Sequence, residues 1–351
     1  MLFSTGIHNY VSSDRFKRFN TDSLRLEIYN GEKWWEIDST SPDQQTGGTR
    51  AIIAAGYTGS GYIQNIDFFN VDSTGNAQDF GDTQNNAGWL AACADRTRGI
   101  IFGDGNSGGG SNVISFITIS SQGNAADFGD LTDSVNYFGG LADRTRGIRG
   151  GGYGPNPVYE INTIDYVTIQ SEGNAIDFGD LVNTAHAGGK LTHGAGVSSP
   201  TRGMWGGGAY YAPSAITLNN IDFITISTLG NASDFGDLTV NRKAVTGVAN
   251  AVRGVWSGGY TPTYVDTQDF VTLATLGNAI DFGDSTWAGA YKSGASSPTR
   301  GTFSGGRIPS GRENRIDYIT LMSTGDATDF GDLVSNHDGA GGCSNGHGGL
   351  G

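Results

Sequence analysis

One stretch of eleven residues returns six times in near-copy: "STGNAQDFGDT" (73–83), "SQGNAADFGDL" (121–131), "SEGNAIDFGDL" (171–181), "TLGNASDFGDL" (228–238), "TLGNAIDFGDS" (275–285) and "STGDATDFGDL" (323–333). Its phenylalanines, Phe80, Phe128, Phe178, Phe235, Phe282 and Phe330, are separated by 48, 50, 57, 47 and 48 residues. A chain that copies itself at this interval folds as one small unit repeated and stacked. Asp-Phe-Gly also holds magnesium in protein kinases. A catalytic metal ligand is needed once, so six copies mark a structural module.

Each unit reads as four short strands. Arg50, Arg98, Arg146, Arg202, Arg253 and Arg300 open Gly-rich strands such as "TRGIIFGDG" and "TRGMWGGGA". Alternating strands follow, such as "VISFITI" (113–119) and "TIDYVTI" (163–169). "GNA" fits a tight hairpin turn, because Gly and Asn tolerate positive φ. The Asp-Phe-Gly-Asp strand comes next, and a small-residue stretch such as "YFGGLAD" (137–143) completes the unit. A period near 50 with four strands predicts propeller blades. The 58 glycines among 351 residues suit strands joined by tight turns.

The two ends predict how the ring closes. No innermost strand precedes Arg50, since "STSPDQQTGG" is turn-like, whereas "SNHDGAGGCSNGHGG" (335–349) has no partner after it. Cys343 follows Phe330 by the interval at which Cys93 follows Phe80. The C-terminal strand is therefore expected as the innermost strand of the first blade. The expected fold is all-β: a six-bladed propeller over 46–351, closed by that strand, behind a short N-terminal hairpin arm over 1–45.

The order of an inner strand a, a strand b ending in a Gly pair, c, and an outer aromatic-bearing d resembles kelch repeats. It departs from them at the kelch tryptophan, where this chain has the Phe of Asp-Phe-Gly. The combination "GNAxDFGDLT … TRGxxGGG … IDYITI" resembles more specifically the repeats of tail-fibre-like virion proteins from phages of aquatic bacteria, of the cyanophage type. The resemblance implies a virion structural protein, tail fibre or tail-associated, present in many copies per particle. It implies host-surface recognition, of glycan or protein, rather than catalysis. The alternatives are a purely architectural virion protein (head decoration or tail collar) and a glycan-cleaving propeller enzyme.

The repeated carboxylates allow two readings. Asp67, Asp165, Asp222, Asp269 and Asp317 share one strand-c position, with Ser115 in the second blade, and each Asp-Phe-Gly-Asp adds two more, as in Asp177 and Asp180. They would either bind calcium, or pair with the repeated arginines, Arg146 with Asp177 for example, and accept hydrogen bonds from turn N–H groups. The second is preferred, because calcium loops gather several oxygens from one segment and no D-x-D-x-D-G occurs. The repeated Phe is expected to wedge between blades, a burial worth roughly 1.5–3 kcal/mol. The Gly pairs are expected to let tightly curved inner backbones approach closely.

Cys93 and Cys343 align with Leu141, Val197, Val248 and Ala295, which predicts packing rather than metal or redox work. His186 and His193, in the insertion 182–196, read as a polar loop. No cofactor, no metal and no catalytic residues are expected.

Strand alternation puts the monotonous c–d turns on one face and the variable b–c loops, with the d–a loops, on the other. Loops on a rigid scaffold are where recognition is usually placed, and Tyr gives contact area at small entropic cost. The ligand-binding expectation therefore falls on Tyr153, Tyr159, Tyr210, Tyr211, Tyr260 and Tyr264.

Residues 1–45 lack the repeat. "LRLEIYNGEKWWEID" (24–38) reads as a hairpin turning at Asn30-Gly31. Its Y-N-G-x-x-W pattern resembles segments of phage tail fibres and their adaptors, which implies docking to other virion proteins through Tyr29, Trp34 and Trp35. The net charge of −14 argues against nucleic acid. There is no apolar run for membrane insertion and no secretion signal; the resemblance to phage virion proteins implies a location in the virion, with synthesis in the host cytoplasm.

Overall fold

The computed structural model describes residues 16–20, 25–29, 32–37, 49–105, 110–155, 160–182, 195–210 and 216–350. The chain divides into two compact units, Met1–Gln45 and Thr46–Gly351.

The first unit holds a three-stranded antiparallel sheet of Phe16–Asn20, Arg25–Tyr29 and Trp34–Ile37. The last two strands form the expected hairpin, with Tyr29 opposite Trp34 and Ile28 opposite Trp35. The Tyr29 and Trp34 rings lie 5.2 Å apart. The Asn30-Gly31 turn and the Trp35 side chain lie outside the described residues. The strand Phe16–Asn20 was not foreseen.

The second unit is a six-bladed β-propeller of six four-stranded antiparallel sheets. In blade 2, strands a to d are Ala91–Ala94, Arg98–Phe102, Ser111–Thr118 and Ala126–Val135. In blade 1 they are Gly341–Ser344, Arg50–Tyr57, Tyr62–Asn70 and Gln78–Ala87. The ring thus closes as expected: the C-terminal strand pairs antiparallel with Arg50–Tyr57, Cys343 opposite Ile52.

The Asp-Phe-Gly motif is a β-bulge. In blade 3, Ile164 faces Gly179 and Asp165 faces Asp177, so Phe178 has no partner on strand c. The same slip recurs around Gly81, Gly129, Gly236, Gly283 and Gly331, all at φ between 140° and 153°. A bulge re-aims a side chain. Here it turns the Phe into the seam between blades. Phe80, 3 % exposed, packs with Ile52 and Ile66 of its own blade and Ile101 and Ile117 of the next. Each such Phe also meets the strand-c aromatic edge-on, at 5.7 to 6.0 Å.

"GNA" does more than turn the chain, because each copy clasps the preceding blade. Gly123 N and Ala125 N donate to the carbonyls of Phe80 and Asp82 (2.9 and 2.8 Å), and Asn124 Oδ1 accepts from Asp82 N at 3.1 Å. The same three bonds join every blade to its neighbour, with Asp326 standing in for Asn at one junction. The bulge glycine is required for this approach. A Cβ on Gly129 would lie 2.5 Å from the backbone of Gly173.

The repeated arginines do not pair with the motif carboxylates. Each guanidinium lies over the aromatic ring of its own strand c, 4.3 to 5.2 Å from the centroid, and donates to a carbonyl of the next blade. Arg146 reaches Ile226 O at 2.6 Å, not Asp177. The stack places the cation on the ring's negative face and aims its N–H outward, across the seam.

The Gly pairs let backbones approach closely, as expected: a Cβ on Gly207 would lie 2.6 Å from Arg242 O, and one on Gly258 2.4 Å from Gly289 O. Gly207-Gly208, Gly258-Gly259 and Gly305-Gly306 end strand b at positive φ, 63° to 117°, and turn the chain out of the sheet. In blade 1 the first of the pair is Ala55, at φ 60°.

Candidate functional site

The strand-c carboxylates are buried and committed to the seams. Asp67 Oδ2 accepts Val334 N at 3.0 Å, Asp222 Oδ2 accepts Val182 N at 3.2 Å, and Asp269 accepts Thr239 N and Oγ1 at 3.1 and 2.6 Å. Each bond ties a blade to the one before it. Where Ser115 replaces the aspartate, Asp104 from the b–c loop takes over the role. It accepts Gln84 N, Asn85 N and the Ser115 hydroxyl.

Compensating cations come from scattered places: Arg149 to Asp165, Arg242 to Asp269 at 2.8 Å, and Lys292, through the Ser285 hydroxyl, to Asp317. Burial raises the Asp67 carboxyl to about 6 and lowers the Lys292 ammonium to about 8. Among the described residues, no group of three or more His, Cys, Asp or Glu is placed to hold a metal ion. Cys93 and Cys343 are free and buried in the apolar seams, and burial pushes the Cys343 thiol up to about 12.

The repeat breaks at the mouth of the central channel, on the face of the b–c and d–a loops. Four residues before each small apolar inner-strand side chain stand Gly339, Trp89, Tyr137, His193, Ala244 and Tyr291, one per blade in ring order. His193 and His186 lie outside the described residues. The other five all have left-handed backbones, φ 55° to 66°. That conformation lets consecutive blades join in a collar. Tyr137 N donates to Trp89 O, Trp89 N to Gly339 O, Gly339 N to Tyr291 O and Tyr291 N to Ala244 O, at 2.7 to 3.1 Å.

The collar gathers aromatic rings. Trp89 lies 4.9 Å from Tyr137 and 5.0 Å from Tyr291, and those two are 6.5 Å apart. Tyr57, where strand b of blade 1 ends, is 6.2 Å from Trp89, and Tyr62 is 5.0 Å from Tyr57. Five half-buried rings thus form a continuous strip from the b–c loop of blade 1 to the channel mouth. The mouth encloses a cavity of about 110 Å³, with Trp89, Tyr137 and Tyr291 in its wall.

Below the mouth the channel is narrow and blind. Gly140, Gly196, Gly247, Gly294 and Gly342 line it, and neighbouring inner strands lie so close that a Cβ on Gly342 would be 2.3 Å from Gly294 O. At the opposite face the buried turn Gly348–Leu350 packs against the ends of the inner strands, where a Cβ on Gly348 would lie 2.4 Å from Asn250 O, and a cavity of about 280 Å³ beside it is lined by Val252, Pro298 and Met322. Leu350 O accepts from Arg144 Nε and Arg96 Nη2 at 2.7 and 3.2 Å. His347 donates from Nε2 to Ala94 O and accepts Gly349 N at Nδ1, which fixes a neutral tautomer. Burial, lowering its pKa, agrees.

The tyrosines expected to bind ligand stand elsewhere. Tyr210 is 3 % exposed, in a short pair of strands, Ala209–Tyr210 with Ile216–Thr217, so its ring is not offered to a partner. Tyr153 and Tyr260 are half-buried and bridge by backbone to Asn136 and Lys243, the residues just before the collar positions Tyr137 and Ala244. Tyr264 packs on Tyr260 at 5.2 Å. Tyr159 and Tyr211 lie outside the described residues. Sequence reasoning missed Trp89, Tyr137 and Tyr291. The signal for them was three aromatics at a linker register that elsewhere holds Gly, Ala or His.

Comparison with protein-family models and with curated proteins finds no match for this chain.

Proposed function

We propose that this chain is a phage virion protein, carried on the tail fibre or tail, that recognises the host surface through the face bearing the b–c and d–a loops. The observation that carries recognition is the five-ring strip ending at the channel mouth. It lies where the repeat is broken, on a scaffold whose repeated residues are spent on joining blades. The virion assignment rests on the resemblance of the repeat. The N-terminal sheet, with Tyr29, Trp34 and Trp35, is the attachment to other virion proteins.

The mechanism is binding without turnover. A glycosidase needs two carboxylates about 5–10 Å apart across the bond it cuts, and no carboxylate is among the described residues lining the mouth cavity. A purely architectural role is the second reading. It is favoured by the exposed Leu229, Leu276 and Met322 on the c–d turn face (52, 61 and 51 %), which suit a contact within a particle. Imaging virions with an antibody to this chain separates the two. Label at the tail tip is expected; label spread over the capsid would end the recognition reading.

A further inference from the structure

We infer that the strip takes the end of a neutral polysaccharide, with its terminal pyranose ring seated at the channel mouth on Trp89, Tyr137 and Tyr291. This deepens the proposed recognition role and rests on it.

The chemistry follows from three features. First, the rings touch one another. Centroid distances of 4.9, 5.0 and 6.5 Å are those of packed aromatic neighbours. A cage for a quaternary ammonium sets its rings around the cation; here Trp89 packs directly on both tyrosines. A continuous aromatic surface instead matches the apolar C–H face of a pyranose, whose hydroxyls stay at the edge in water.

Second, the site presents no net charge. Lys292 is the one charged residue among the described lining of the mouth cavity, and its ammonium is turned away to the Ser285 hydroxyl and the Trp287 carbonyl. Arg312, which covers Tyr57 at 4.6 Å, is paired with Asp338 at 3.1 Å. An anionic sugar would find no counter-charge here and would approach a chain of net charge −14.

Third, the shape selects a chain end. The cavity of about 110 Å³ is far below the several hundred that enclose a larger ligand. The Gly-walled shaft beneath it holds only about 50 Å³ and ends at His347 and Gly348. Only a terminal unit enters, and the preceding sugars lie outward over Trp89 and along the strip it forms with Tyr57 and Tyr62, whose rings follow one another at 6.2 and 5.0 Å, on the side of Tyr57 away from Arg312.

The test is a printed array of glycans with neutral, uronic-acid, sialic-acid and phosphorylated termini, with free choline as a separate titrant, probed with the full chain and with Trp89→Ala. Alanine is accommodated at this register, since Ala244 occupies it at φ 55°. A cooperative unfolding transition above the assay temperature and an unchanged far-ultraviolet dichroism spectrum establish that the variant is folded. Binding to neutral-terminated glycans is expected, weakened at least tenfold by Trp89→Ala. Binding confined to anionic glycans, binding of choline in place of sugars, or binding indifferent to Trp89→Ala would overturn the inference. Whole-cell binding is measured in parallel. Cells bound with no glycan bound would remove the sugar and leave recognition standing; neither bound would remove both.

Discussion

Ser115 stands where five blades carry a strand-c aspartate, and the residue scale explains why that substitution is not a flaw. Asp104 already supplies the carboxylate from the neighbouring loop. Restoring the repeat with Ser115→Asp would bury a second acid beside it. The variant is expected to lose about 3–5 kcal/mol in denaturant unfolding, and adding Asp104→Ser should recover much of it. Stabilisation by Ser115→Asp alone would contradict the assignment.

Two buried groups set opposing pH effects. Burial raises Asp67 from 3.8 to about 6, so its contribution is full below pH 3.8 and lost as pH rises through 6. Burial lowers His337 from 6.5 to about 4, so its contribution is full above pH 6.5 and lost as pH falls through 4. Between pH 4 and 6.5 the melting temperature of the wild type should rise on acidification relative to Asp67→Asn, and fall relative to His337→Asn.

At the scale of elements, the bulge and the turn beside it divide one constraint. Gly129 and Gly173 share nearly the same φ, 149° and 152°, but only at Gly129 would a Cβ strike a neighbouring blade. Both alanine variants bear the backbone penalty, of order 1–3 kcal/mol. Gly129→Ala should cost about 1–3 kcal/mol beyond Gly173→Ala, the usual cost of a core clash. Equal midpoints in urea would remove the clasp as the reason for the motif. The strands themselves were legible in the sequence, because alternation and Gly–Asn turns act within one blade. The reach of Arg146 to Ile226 and of Asn124 to Asp82 was not, since both bonds cross between blades and local spacing is silent on what faces a seam.

For the whole molecule, ring closure was readable because Cys343 keeps the register of Cys93, so an orphan strand could be matched to the gap left at Arg50. The mouth was not readable. Trp89, Tyr137 and Tyr291 lie about 50 residues or more apart in irregular linkers, and only the closed ring gathers them. Tyrosine counting favoured the b–c loops for the same reason: abundance is visible in a sequence, whereas convergence is not. Residues repeated six times join blades here, and residues that break the repeat line the opening.

The most direct measurement is the affinity of the purified chain for susceptible cells after single substitutions on opposite faces of the disc. Trp89→Ala, at the mouth, should lower it at least tenfold, while Leu276→Ala, on the c–d turns, should leave it unchanged. Loss with Leu276→Ala and none with Trp89→Ala would place recognition on the other face and contradict the account.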